Sequence, residues 1–437
     1  MKGEESTYQM QKNCLTNPIT IGLAVLFAVS LLPTLTHAQE LTYEFSGKII
    51  EQPTYYSLKD DYLLNPNSEI LDFSPWKNRF YGDINFNLDY RNLKFISKLR
   101  PTVLSDKNGT DIETIVDDGY LDMGFKDKFF LYLGKKNVRD GVGLGANPTD
   151  FLGEGKEVDM TKREEERRVE REGNYLIGMD TYFKDITLTA IFTPRIKDLQ
   201  SEKDRVVLKA GFLLEPLNTD ISLHYFNGDI PGIGFNLSHT ANDNLVLYTE
   251  TAFRKGSNKK IVRLISEVSP NSYSIEEMDG RKVFAYVVTG GHYTFKNGTN
   301  IICEYIYNGD GYNQRNWDGF EGFVTYNNDQ FKQGLFLDSA TGNLSKANQL
   351  VTFGQMRRNY FFTRISNPSI FNKIDGALVL FVNLDDSSFL VNPSLDYKIK
   401  QDSTVGISSN IFVGGKTKEF GMIHWGEDVT LIYKHYF

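Results

Sequence analysis

The sequence predicts an all-β protein, an antiparallel up-and-down β-barrel of about 18 strands that crosses a membrane, with long loops at one end and short turns at the other. Three observations predict it. The chain ends on a strand, Asp428 to Phe437, with no polar tail. Segments of about 8 to 12 residues that alternate apolar and polar side chains recur from residue 43 onward, near the length of a tilted membrane strand. The connections between them alternate in length.

With 437 residues and a net charge of -8, the chain could hold several ordinary domains or one large barrel. It offers no basic face of the kind nucleic acid requires. Its 24 Tyr and 31 Phe against 13 Pro suit strands and membrane-interface girdles, although an aromatic-rich soluble β protein fits those counts as well. The one long apolar run, Ile19 to Leu32, is too short to span a membrane and is followed by Thr36-His37-Ala38. Residues 1–38 therefore read as a secretory leader, and a start at Met10 would make it shorter and net positive. Beyond it only Cys303 remains, which excludes an intrachain disulfide. Residues 39–437 show no solenoid repeat or low-complexity linker and read as one domain.

Tyr43 to Glu51 is the first strand, followed by a loop over 52–78. The next hairpin has the plainest pattern. Phe80, Ile84, Phe86, Leu88 and Tyr90 share one face, and Tyr81, Asp83, Asn85, Asn87 and Asp89 the other. After the turn Arg91-Asn92, Leu93, Phe95 and Leu99 continue the apolar face, and Lys94, Lys98 and Arg100 the polar one. A one-residue slip would turn basic groups toward lipid at roughly 2 to 4 kcal/mol each, so the register is specified.

Further strands are expected at 114–125, 128–134, 174–183, 186–194, 205–214, 220–227, 232–239 and 244–254. Short turns join them at 126–128, 184–185, 215–219 and 240–243, and longer connections at 103–113, 135–173 and 195–204. Lys296 to Thr299, with Asn-Gly between, is a tight hairpin turn. Parity then assigns 255–281 to one long loop, with room for a hairpin of its own. Strands resume at 282–295, 300–307, 359–366, 375–384, 389–399, 404–414 and 428–437, and the even total brings both termini to the short-turn end.

In the last strand Val429, Leu431, Tyr433 and Phe437 share one face, with Asp428, Thr430 and Lys434 on the other. This ending resembles the closing strand of Gram-negative outer-membrane barrels. The resemblance implies that Val429, Leu431, Tyr433 and Phe437 face outer-membrane lipid and carry the signal read by the barrel-assembly machinery. The even count of strands places it beside the strand from Tyr43, where it would close the sheet and remove its edges. His435 falls on the lipid side, near the interface.

The polar faces set carboxylates, amides and ammonium groups side by side, which a dry core tolerates only with every partner satisfied. A water-filled lumen is the simpler solvent. Its expected lining is Asp83, Asp89, Lys94, Lys98, Arg100, Asp118, Asp122, Arg205, Lys209, Glu250 and Arg254, of both signs. Strands about 4.8 Å apart and tilted near 40° give a cylinder of roughly 35 Å diameter.

The most distinctive connection runs from Gly134 to Gly173. Gly141, Gly143 and Gly145 let its backbone turn sharply and lie close to a wall, and Asn147-Pro148-Thr149-Asp150 follows. Gly134-Lys135, these glycines and Arg171-Glu172-Gly173 resemble the third-loop region of porin-type barrels related to the alginate-export group. Tyr305 to Tyr312 and Asn383 to Ser387 resemble two further stretches of that family, and Asp140 stands where a Trp is expected. A loop of this length exceeds a mere connector. Folded into the bore, Lys135, Lys136, Arg139, Arg163, Arg167, Arg168 and Arg171 would set a local field. Equally, nine basic residues beside ten acidic ones in 135–172 suit a solvated external loop. The connection 308–358, with Asp310, Arg315, Trp317, Asp318 and Arg357, is a second candidate lid.

Chemistry of other kinds has little footing. The glycine trio lacks the strand, helix and acidic partner of a nucleotide site, and histidines 224, 239, 292, 424 and 435 show no metal spacing. Asp385-Asp386 fits a hairpin tip, and Cys303 sits inside a strand. The expectation is a non-enzymatic channel, without cofactor, that passes small polar solutes by diffusion. The resemblance adds export of an anionic polysaccharide as a special case. A secreted carbohydrate-binding β protein is the alternative from another class.

Overall fold

Side chains alternate between the two faces of each strand, and in this chain the alternation closes on itself. The computed structural model describes residues 41–153, 167, 170–196, 200, 203–265 and 272–437, so the expected leader, Arg163 and Arg168 lie outside the described residues. The strands are β1 (Leu41–Leu58), β2 (Trp76–Tyr90), β3 (Leu93–Asp106), β4 (Gly109–Phe125), β5 (Phe129–Lys136), β6 (Asn174–Phe183), β7 (Ile186–Thr193), β8 (Arg205–Leu214), β9 (Thr219–Asn227) and β10 (Gly232–Asn242). They continue as β11 (Leu245–Lys255), β12 (Lys260–Leu264), β13 (Tyr273–Glu277), β14 (Val283–Thr294), β15 (Asn300–Asn308), β16 (Asn359–Ile370), β17 (Ile374–Asn383), β18 (Phe389–Lys398), β19 (Ser403–Val413) and β20 (Trp425–Tyr436). All but β12 and β13 form one 18-stranded antiparallel sheet, each strand beside its neighbours in sequence. β1 pairs with β20 and closes it.

At the seam, Gly47 and Phe437 exchange backbone hydrogen bonds of 2.9 and 3.0 Å, and Phe437 packs 5.7 Å from Phe45. Val429, Leu431, Tyr433 and Phe437 stand on the outside, between 41% and 51% exposed. Asp428 and Lys434 are buried on the inside, where Lys434 Nζ lies 3.6 Å from Asp396. A soluble sandwich would turn its apolar face inward. This closed sheet turns it outward, which overturns the soluble reading.

Two connections are shorter than the alternation suggests. β3 and β4 pair out to Asp106 and Gly109, so the loop expected at 103–113 is a hairpin around Lys107-Asn108. Asp106 Oδ1 accepts the Asn108 N–H at 2.7 Å, and Asn108-Gly109 is itself a hairpin signal. β1 and β2 pair as far as Tyr55 and Trp76, which reduces the loop of 52–78 to 59–75. The register between β3 and β4 shifts at Lys98, and the resulting β-bulge turns Asp117 inward beside Asp118.

The hairpin allowed within 255–281 is β12 with β13, paired from Lys260 opposite Glu277. The connection 309–358, expected only as a loop, folds into α1 (Gln314–Lys332) and α2 (Leu337–Leu350). Asn313 caps α1 by accepting the Asn316 N–H at 2.9 Å. Trp317, Phe320, Val324 and Leu344 share a core with Tyr62, Leu64, Ile261, Val262 and Met422. Connections distant in sequence thus bury one another as a lid over the long-loop end.

Candidate functional site

The chain leaving β5 turns into the barrel. Asp118 Oδ1 accepts the Asn137 N–H at 2.6 Å, and Asp140 reaches Lys209 Nζ at 2.5 Å and His224 Nδ1 at 3.7 Å. Glu250 then binds the loop backbone. Its Oε2 accepts from Val142 and Gly143 at 2.8 and 3.1 Å, and its Oε1 accepts the Thr149 N–H and hydroxyl at 2.7 and 2.8 Å. Glu304 accepts from Leu144 and Gly145 at 2.6 and 2.7 Å and from the Tyr248 hydroxyl at 2.5 Å. Arg254 donates to the Pro148 carbonyl at 2.8 Å, and Phe151 stacks on Phe226 at 5.2 Å.

These partners are inward residues of β8, β9, β11 and β15, so residues 140–151 lie across one side of the inner wall. Gly141 takes a φ of +97°, and a β-carbon on it would meet Glu250 at 2.7 Å. On Gly145 a β-carbon would meet Phe362 and Ile306 at 2.9 Å. The glycines therefore allow the close approach that their spacing suggests.

The inner face is less uniformly polar than expected. Tyr248, Val288, Ile306, Phe362, Phe381 and Phe412 point inward and form a buried cluster. They pack against Val142, Leu144 and Ala146 of the loop, and against Phe420 and Ile423 of 414–424. Apolar inward side chains here sit under folded-in loops, which shield them from water. Above them Glu419, fully buried, accepts from Gly354 N, Met356 N, the Tyr360 hydroxyl and Asn383 Nδ2 at 2.7, 3.2, 2.8 and 2.6 Å. Burial pushes this carboxyl up to about 7.

A charged cluster lines β2 to β4. Arg100 Nη2 donates to Asp117 at 2.7 Å, and Arg100 and Arg79 reach Glu170 at 3.4 and 2.8 Å. The Tyr81 hydroxyl also donates to Glu170, which comes from the returning end of the long connection. Burial raises the Glu170 carboxyl, but Arg79, Tyr81 and Arg100 outweigh it and hold the group below its usual range. Asp83 lies between Lys98 at 3.3 Å and Lys48 at 3.6 Å.

Most of the expected lumen residues take part in these contacts. Arg205 donates to Asn174 at 3.0 Å, and Asp122 sits opposite Lys94 in register. Asp89 and Lys94 pair at 3.1 Å at the more exposed short-turn end. Among the seven basic loop residues, Lys135 pairs with Glu172 at 2.5 Å, Lys136 packs 3.6 Å over the Tyr132 ring, and Arg171 pairs with Asp150. Arg139 is exposed and Arg167 half-buried. Sequence reasoning missed Glu304, Asp117, Glu170 and Asp140. Glu304 shares the β15 face of Ile302 and Ile306, so the alternation could have found it. Asp117 carried no signal, because a bulge interrupts the period.

No protein-family model matches the sequence, and no curated protein sequence does. Solved structures align along nearly its whole length. OccAB1 of Acinetobacter baumannii matches at 9% identity over 90% of this chain and 96% of its own, with a TM-score of 0.53. OprD of Pseudomonas aeruginosa matches at 9% identity over 90% and 95%, with a TM-score of 0.47. At such identity the likeness to OccAB1 is one of fold, a closed antiparallel β-barrel. The alginate-export part of the resemblance gains no support from these matches.

Proposed function

We propose that the protein is an outer-membrane channel for passive diffusion of small polar solutes, and that the loop following β5 is its constriction. The observation that carries this reading is the clasp of Glu250 and Glu304 on five loop N–H groups inside a closed barrel. A wall that binds a loop on its inner side narrows the bore at that level. The wall at β2 to β4 carries charged groups of both signs, packed against the returning end of the same connection, and rows of charge tune what a pore admits. Along the loop Lys135 and Arg171 form ion pairs with Glu172 and Asp150, and Lys136, Arg139 and Arg167 add basic groups beside them. The outward face of Val429, Leu431, Tyr433 and Phe437 is the segment that assembly machinery would read during insertion.

The test is conductance in a planar bilayer, with the chain intact and with residues 139–150 replaced by a short glycine-serine link. Discrete steps that grow on replacement are expected. No steps from either protein would overturn the channel, and steps of unchanged size would overturn the constriction alone.

A further inference from the structure

A second site lies on the lid, outside the bore, and its reading does not depend on the channel. α1 and α2 enclose a cleft of about 210 Å³, lined among others by Tyr326, Asn327, Gln330, Phe336, Ser339 and Asn343. These residues offer two aromatic rings, three amides and two hydroxyls, and no charge. Asn327 is only 3% exposed and is fixed in place. Its Nδ2 donates to the Phe323 carbonyl at 2.7 Å and its Oδ1 accepts from Asn343 Nδ2 at 2.9 Å.

Phe336 stands at the edge of the cleft. It is 74% exposed and holds a left-handed backbone, φ 50° and ψ 40°, which glycine adopts freely and a bulky residue does not. The reversal between the helices is already made by Gly334, at φ +71°, where Leu335 N–H bonds back to the Gln330 carbonyl at 2.8 Å. Phe336 follows as the N-cap of α2, where its carbonyl accepts the Ala340 N–H at 2.9 Å, and its ring is left in water at the edge of the cleft.

We propose that this cleft binds a neutral pyranose. A sugar ring presents an apolar C–H face that suits Tyr326 and Phe336, and an edge of hydroxyls that suits the Gln330 amide, the Asn343 carbonyl and the Ser339 hydroxyl. An anion or a cation would be poorly served by a lining with no opposite charge. The volume admits one hexose ring. The same chemistry could come from a free saccharide or from one borne on a lipid.

The experiment is saturation-transfer NMR on the full chain in a polyoxyethylene detergent, because a maltoside headgroup would compete. One arm presents methyl glucopyranoside, galactopyranoside and mannopyranoside and their trisaccharides in solution. The other presents the same hexoses as glycolipid headgroups in vesicles. Transfer to ring protons is expected for at least one sugar, in solution for a free ligand or only on vesicles for a lipid-borne one. Phe336→Gly fits the backbone and should leave heat-modifiable gel mobility unchanged while weakening binding about tenfold or more, whereas Phe336→Trp should retain it. No transfer in either arm, or transfer that survives Phe336→Gly combined with Tyr326→Ala, would overturn the site.

Discussion

A β-carbon placed on Gly141 would lie 2.7 Å from both carboxylate oxygens of Glu250. The loop can therefore reach the wall only because residue 141 has no side chain, and the carboxylate then collects the N–H groups that follow. Hydrogen bonds to a charged group contribute about 1.5 to 3 kcal/mol each. Glu250→Ala combined with Glu304→Ala removes the acceptors of five backbone donors and should release the loop. Gly141→Val should displace it by collision. Both variants are expected to raise single-channel conductance, by roughly twofold if the loop sets the narrowest level. Wild-type steps in both would show that the loop does not limit flow.

Asp117 and Arg100 form an almost solvent-free pair, with side chains 0% and 5% exposed. Removing Asp117 leaves Arg100 only the longer 3.4 Å contact to Glu170, at a cost below the about 3 to 5 kcal/mol of a fully unpaired buried charge, whereas removing both partners is milder. Asp117→Ala should lower the temperature at which the folded gel band converts to the unfolded one. Adding Arg100→Met should restore part of the loss. A double variant as weak as the single one would mean that Asp117 acts through the bulge geometry rather than through charge.

Much of the barrel was legible because one physical constraint governs it. Period-two alternation fixed the faces of 80–100 and of the closing strand, and parity of the connections correctly kept Lys260 to Glu277 out of the wall. The glycine trio also carried its meaning, since only close approach explains three glycines so near together. What stayed hidden depends on contacts between distant segments. The bulge at Asp117 breaks the period that alternation reads. α1 contains Gly319 and Gly322 and is held by Tyr62, Leu64, Ile261 and Met422, residues spread over most of the chain. Glu304 stands on the inward face that alternation reads, but its part as an acceptor for the loop shows only with Leu144 and Gly145 beside it.

The outward face of β20 can be checked directly. Leu431 is 51% exposed on the outside, and Thr430 faces inward, its hydroxyl 2.9 Å from that of Thr54. Leu431→Arg should cost roughly 2 to 4 kcal/mol in lipid vesicles, and Thr430→Arg clearly less, measured by urea unfolding. Equal costs would place both faces in similar surroundings and contradict a lipid-facing exterior.

The lid's grip on the barrel rim should weaken in acid. His424, just before β20, stacks on Phe73 at 3.4 Å and stands edge-on to Trp425 at 4.0 Å. Burial, and then the charge of Lys59, lower its pKa from 6.5 to about 3. Above 6.5 the imidazole is neutral whether or not the segment 59–73 is docked, so the full packing stability is present. As pH falls below 6.5 the undocked state takes up a proton that the docked state refuses. Docking then loses up to about 1.4 kcal/mol per pH unit until the folded pKa is reached. The Lys59 N–H, bonded to the His424 carbonyl at 2.9 Å, reports the opening through hydrogen exchange corrected for its intrinsic pH dependence. Protection should fall between about pH 7 and about pH 5 in the wild type and stay level in His424→Phe. The same slope in both proteins would assign the acid response to another group.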